Sequence, residues 1–280
     1  MRTLFILELK RALKSPFFWL SLLVPLGINA EHLLFSECGF TIYTTSYFFV
    51  NAPIICVILA ILIPIHIGHD FETRTINNKI TAGCTKKDIF LAEVGVGAVL
   101  ATLLFVIVSL AVVAFSNIKH HTVDPDFTLT RLLVNAFISW LGLVTVSTFF
   151  TMLAMLTHRQ LISIAIALLL TIGLLAAGGN TVSNLREEPT RLDPVTHETY
   201  DNILYIDGLK RQATNAVLLM SPFAQAEYEQ YRSWEPYNKR DNSLIMKNAP
   251  FHFEFCIVNL LEILLFYGIG IRFFRKQDLK

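Results

Sequence analysis

Five long stretches of this 280-residue chain contain no lysine or arginine: Ser15 to Thr73, Asp88 to Ile118, Leu132 to His158, Gln160 to Leu185 and Asn248 to Ile271. A soluble domain cannot be built that way, because each surface element needs charged residues on its wet side. Only 16% of the residues are charged and 54% are apolar, against about 25% charged in an average soluble domain. Disorder, a disulfide scaffold and a soluble enzyme all fit this pattern poorly. The chain reads as an integral membrane protein.

A spanning helix needs about 20 mostly apolar residues. Six segments qualify: Pro16 to Phe35, Tyr47 to Gly68, Ala92 to Ser116, Leu132 to Leu156, Leu161 to Gly179, and Phe251 to Phe273. Only Thr157 to Gln160 separate the fourth from the fifth, which predicts a tight helical hairpin. Backbone in lipid is satisfied by helices or closed barrels alone, and these runs are too long and too uniformly apolar for barrel strands. The predicted fold class is therefore all-α, with residues 16–280 forming a six-helix transmembrane domain.

Lysine and arginine in the short connections orient the spans. With the N-terminus inside, the cytoplasmic pieces carry thirteen such residues and the short outer loops two, Lys119 and Arg131. Both termini are predicted to be cytoplasmic. The stretch 180–250 holds eight more, but so long a loop escapes the rule. A net charge of +1 gives no basic face for nucleic acid. The four cysteines show no zinc spacing, and Cys56 and Cys256 sit in apolar runs as small core residues.

Two pieces outside the spans carry information. Residues 1–15 place Phe5, Leu9, Ala12 and Leu13 at helical spacing, with Glu8, Lys10, Arg11 and Lys14 elsewhere, before the Ser15-Pro16 break. That is an amphipathic helix on the inner leaflet, or else the basic flank of a first span. The outer loop 180–250 has an apolar middle, Ile203 to Tyr231, including Val217, Leu218, Leu219, Met220, Pro222 and Phe223. One or two short interfacial or re-entrant helices are expected there, since a structureless loop of this length is unusual.

No catalytic residues are predicted. The chain lacks G-x-x-x-x-G-K-[ST], so any energy from ATP must come from another subunit. His197-Glu198 lacks the second histidine of a zinc protease, since position 201 is Asp. Glu187-Glu188 with Arg191 has the wrong spacing for an intramembrane protease and lies outside the spans. His66 and His69 share a helical face before Asp70, either as a metal pair or as polar anchors at the membrane interface, and anchors are the preferred reading. His120 and His121 are read as solvated rather than metal-bound. No metal site is assigned, and no cofactor is expected on this chain.

The connection at 69–91 carries the strongest signal. It runs Gly68, His69, Asp70, Phe71, Glu72, Thr73, Arg74, Thr75, Ile76, then Lys79, Gly83, Lys86, Lys87 and Ile89 into the third span. This resembles the permease subunits of type-2 ABC exporters, where a G-x-D-F-E-x-x-T-I-like stretch follows the second span. The resemblance extends to the N-terminal helix, the six spans and the long loop before the last. Within that loop Tyr205, Gly208, Lys210, Arg211, Pro222 and Gln225 look like the bacitracin and lantibiotic resistance and immunity subgroup. Two departures stand out: Thr85-Lys86 replaces Ser-Arg and keeps the charge, and Glu93 stands where a lysine commonly opens the third span.

The resemblance implies a second permease, identical or related, and two copies of a separate ATP-binding subunit that holds ATP and Mg. Asp70, Glu72, Thr75, Lys86 and Lys87 would form the coupling surface toward it. The cargo would be an amphipathic or antimicrobial peptide-like molecule, drawn from membrane lipid and exported across a bacterial plasma membrane. The alternatives are a non-transporting immunity or scaffold protein of the membrane, and a permease of a metal-related exporter that leans on the histidines.

Glu262 falls at the centre of the sixth span, where a charged side chain costs roughly 2.5–3.5 kcal/mol on insertion scales. Asn259 lies one turn before it on the same face. The pair is expected to form a polar seam, either structural or lining a transport path.

Overall fold

A computed structural model describes residues 2–35, 48–118, 129–192, 199–234 and 252–277. The chain order is α1 (Arg2–Lys14), α2 (Pro16–Ala30) with a π turn at Glu31–Phe35, α3 (Asn51–Glu72), α4 (Thr75–Thr81), α5 (Lys86–Ile118), α6 (Leu129–Thr157) and α7 (Gln160–Arg186). A two-stranded hairpin follows, β1 (Thr190–Leu192) antiparallel to β2 (Thr199–Asp201), then α8 (Gly208–Met220), α9 (Pro222–Trp234) and α10 (His252–Lys276). Six of these helices are long and apolar enough to cross a membrane. The protein is an all-α membrane protein with one short hairpin added.

The bundle is organised around α6, which packs against α3, α5, α9 and α10, while α7 packs on α3 and α9. Ile55, Leu59, Ile63 and Ile67 recur every four residues on α3 and are all buried. Val96, Leu100, Leu104 and Val108 do the same on α5. These rows meet Val146, Phe150 and Ala154 of α6 in one core. The buried Thr145, Thr148 and Thr151 of α6 each donate their hydroxyl to a carbonyl one turn back. Small polar residues can thus line a close helix contact without leaving a donor unmet. The opposite pattern covers the outside: Trp19, Leu20, Leu23 and Val24 of α2, and Leu260, Leu261, Leu264 and Leu265 of α10, are exposed, as lipid-facing residues must be.

Several boundaries differ from the sequence reading. The second span continues to Glu72, so Gly68 to Glu72 are helical rather than loop. Most of the 69–91 connection is likewise helix: the end of α3, the short α4 and the first turns of α5, which begins at Lys86. The fifth span runs on to Arg186 instead of stopping at Gly179. At the end of α3 the helix continues because Asp70 meets Arg11 and Lys79 within the fold.

The expected tight hairpin is present, as α6 ends at Thr157 and α7 starts at Gln160. Its turn places His158 in the left-handed region, φ 57°. Cys56 is buried and Cys256 half-buried, and neither forms a disulfide. His120, His121, His197 and Glu198 lie outside the described residues.

Candidate functional site: a charged elbow and a re-entrant hairpin

The connection between α3 and α5 is a structured elbow. α3 closes at Thr73, whose hydroxyl donates to the His69 carbonyl at 2.7 Å. Arg74 then adopts a left-handed conformation, φ 55°, and turns the chain into α4. Gly83, φ 92°, ends α4 in a left-handed cap: its N–H bonds the Ile80 carbonyl and that of Cys84 the Lys79 carbonyl. Thr85 caps α5 by accepting from the Asp88 N–H at 3.1 Å.

Beneath the elbow lies a buried ion cluster drawn from four helices. Lys79 Nζ of α4 reaches Glu8 Oε1 of α1 at 2.7 Å, Asp70 Oδ2 of α3 at 2.5 Å and Glu93 Oε1 of α5 at 3.2 Å. Arg11 of α1 pairs with Asp70 and, at 2.6 Å, with Glu8 Oε2. His66 Nε2 stands 3.4 Å from Glu93 Oε2. The three carboxylate side chains are at most 6% exposed. Burial pushes the Glu8 carboxyl up, with the neighbouring Glu93 charge adding to the effect and Lys79 and Arg11 opposing it. Burial alone would lower Lys79 and Arg11, but the carboxylates outweigh it and hold both above their ordinary values. Uncompensated charges in such a place would cost several kcal/mol each, so the set stands or falls together.

Glu8, His66 and Glu93 bring three donor atoms within 4.8 Å of one another, a spacing that could hold a metal ion. Arg11 Nη2 occupies the same ground, 2.6 Å from Glu8 Oε2 and 3.5 Å from His66 Nε2. The guanidinium supplies the positive charge that a metal would bring. His66 therefore belongs to the ion cluster, whereas His69, one turn further along the same face of α3, is exposed.

The elbow is also tied to the end of α10. Lys86 Nζ donates to the Gln277 carbonyl at 2.5 Å and the Arg275 carbonyl at 3.3 Å, a basic cap on a helix C-terminus. His158 Nε2 lies 2.6 Å from Gln277 Oε1, and its ring meets Phe71 edge-on at 4.6 Å. The ends of α3, α6 and α10 thus meet at the base of the elbow.

At the far end of the bundle α8 and α9 form a V whose tip, Ser221-Pro222, reaches between α3, α6, α7 and α10. Phe223 packs on Phe149 and Phe150, and Leu218, Ala224, Gln225 and Ala226 are buried. Gly178 of α7 permits the approach: a Cβ there would lie 2.8 Å from Ala224 Cα. Asn259 of α10, fully buried, donates to Gln225 Oε1 at 2.7 Å, and Gln225 Nε2 donates to the Leu219 carbonyl at 2.8 Å. Arg211 bonds the Leu185 carbonyl at 2.9 Å near the end of α7 and lies 5.2 Å over the Tyr205 ring.

Of the residues singled out from the sequence, Glu72 and Lys87 are exposed, and Thr75 is half-buried with its hydroxyl 2.8 Å from that of Thr73. Asp70 and Lys86 lie inside the elbow and face its supports. Asn259 pins the V. Glu262 is half-buried on the next turn, and its Oε2 is buried without a hydrogen-bond partner among the described residues. Sequence reasoning missed the cluster formed by Glu8, Arg11, His66, Lys79 and Glu93. Its one visible sign was Glu93, an acid in the opening turns of an apolar span. The chain matches no model of a known protein family and no curated protein.

Proposed function

We propose that this protein is the membrane subunit of an ATP-driven exporter of the type-2 ABC class. It works beside a second permease, identical or related, and two separate ATP-binding subunits that hold ATP and Mg. The observation that carries this reading is the elbow. A short, charged, folded projection stands between two spans, braced by an internal ion cluster and tied to the last helix, on a chain with no phosphate-binding loop of its own. Such a projection passes a push from a soluble partner into α1, α3, α5 and α10 together. In this assignment Glu72, Arg74 and Lys87 touch the partner, while Asp70 and Lys86 hold the elbow rigid beneath that contact.

ATP binding would draw two elbows together and shift the bundle between inward-closed and outward-open arrangements. The cargo is an amphipathic molecule, with an antimicrobial peptide the leading class, taken from the bacterial plasma membrane past the V of α8 and α9. Both termini are then cytoplasmic. The buried amide pair Gln225–Asn259 and the neighbouring Glu262 supply the polar groups on that route.

The test is co-purification with an ATPase encoded beside this chain, with turnover measured as peptide is added. Glu72→Lys with Lys87→Glu should leave the protein folded and inserted but lower stimulated turnover roughly ten-fold. Full stimulated turnover with both charges reversed would remove the elbow from the coupling path.

A further inference from the structure

Where α1 turns into α2, a groove of about 360 Å³ opens between that bend, the last turns of α3 and the first residue of α7. Its polar wall is Arg11, Lys14, His66 and His69, and its apolar wall is Phe17 and Ile65. Among the described residues no acidic side chain lines it; Glu8 and Asp70 lie behind Arg11, which is committed to them. Lys14 and His69 are exposed, and no ion pair of theirs is seen among the described residues.

The groove straddles a change of medium. Up to Lys14 the chain is charged, and from Phe17 onward it is apolar, with Phe17, Trp19, Leu20 and Leu23 exposed. Trp19 marks the boundary: it is 58% exposed, and its indole N–H donates to the Leu13 carbonyl at 2.9 Å across the bend. An exposed tryptophan at a spanning-helix end sits at headgroup depth. Three spans end at this level together, because Gly68 lets α7 begin directly against α3, with a Cβ there 2.6 Å from Gln160 Cα. The result is a cleft that is basic on one side and hydrocarbon-like on the other, open at the depth where phospholipid phosphates lie.

We propose that this groove is a binding site for one anionic phospholipid. The phosphate would lie against Lys14 and His69, with the Ser15 hydroxyl and Gln160 amide as further donors. The acyl chains would follow Phe17 and Ile65 along the face of α2. The match is one of charge and of amphipathy, since a free anion uses only the basic wall and a neutral lipid only the apolar one.

The experiment uses the full-length protein in detergent, with native mass spectrometry for retained lipid and a melting curve for stability. Phosphatidylglycerol, phosphatidylcholine and inorganic phosphate are added in separate arms. Phosphatidylglycerol should be retained and raise the melting temperature, and the other two should do neither. Lys14→Gln should weaken retention about five-fold, from the usual contribution of one basic group beside anionic lipid; adding His69→Gln should weaken it further, and Lys14→Arg should retain the lipid. These positions are exposed, so folding is expected to survive; if the double variant fails to fold, Lys14→Gln against Lys14→Arg decides the matter. Equal retention by Lys14→Gln and Lys14→Arg, equal retention of phosphatidylcholine, or equal protection by inorganic phosphate would each overturn the proposal.

Discussion

The two ends of this bundle bury polar groups in different ways. At the elbow they are ions: three carboxylates and a lysine from α1, α3, α4 and α5, joined by the half-buried Arg11 and with His66 beside them. At the V, where Arg211 and Glu229 are also buried, the contact that joins α10 to α9 is neutral, an asparagine donating to a glutamine. Ions attract over distance but tolerate no missing partner, so they lock separate elements into one arrangement. Amides hold locally, and losing one costs a single bond. One charge set therefore joins four elements at the elbow, whereas the V is held mainly by the packing of Leu218, Phe223 and Ala224, with the amide pair beside it.

The largest effect should come from removing the hub of the ion cluster. Lys79→Met leaves Glu8, Asp70 and Glu93 with Arg11 as the one fixed cation and should cost about 3–5 kcal/mol. Thermal unfolding in detergent would show it, with accelerated proteolysis between Thr73 and Thr85. A change below about 1 kcal/mol would mean the cluster is wet and loosely paired, and the contrast between the two ends would disappear. Because Lys79 is held above its ordinary value of 10.5, its contribution is fully present below that pH. It is lost only as pH rises through the higher value of the folded state.

At the V, crowding should outweigh hydrogen bonding. Gly178→Val drives a side chain into the Ala224 backbone, 2.8 Å from where its Cβ would stand, at roughly 1–3 kcal/mol. Cysteine accessibility along α9 should rise as the tip is pushed out. An unchanged labelling pattern would show that α9 does not depend on that contact. Asn259→Leu keeps the volume and removes the bond to Gln225, and should cost about 1 kcal/mol, as interhelical hydrogen bonds in membranes do. A loss as large as that of Lys79→Met would put the two ends on the same footing.

The charge-free runs made the six spans legible, because lipid forbids lysine and arginine there whatever the tertiary structure. The V was legible in outline from the apolar island at Val217 to Phe223, too short to span and too apolar to be solvent loop. The extension of α3 to Glu72 was not, since Asp70 is helical and buried only through Arg11 and Lys79, and Arg11 lies 59 positions away in sequence. Glu8 shows the same limit. A helical wheel places it between Arg11 and Ala12 at the edge of the apolar stripe of α1, where it is buried, but nothing in that position tells that Lys79 of α4 will meet it. Asn259 was legible as a polar residue on an apolar helix, but its pairing with Gln225 follows from the re-entry of α9. Local pattern reports the medium around a helix; it does not report which distant charge will meet it.

The smallest effect concerns the β hairpin, where charge sits in water and not in a core. Arg191 Nη2 lies 2.5 Å from Glu187 Oε2, and the Asn202 amide donates to the same oxygen at 2.7 Å. These bonds hold the Glu187 carboxyl below its ordinary value of 4.5. For an acid depressed in the folded state, the stabilisation is present above the ordinary value and is lost as pH falls through the lower folded one. Hydrogen exchange at β1 and β2, corrected for the intrinsic rate, should therefore quicken below about pH 4.5, while the melting temperature of the bundle stays unchanged by this group. Glu187→Gln should show the loosened hairpin already at pH 7, because it removes the charge that Arg191 meets. Exposed pairs of this kind contribute little to global stability, so the signal must be local. Hairpin protection that stayed constant from pH 7 to pH 3 would mean that backbone pairing at Arg191 and Tyr200 holds the strands without the carboxylate.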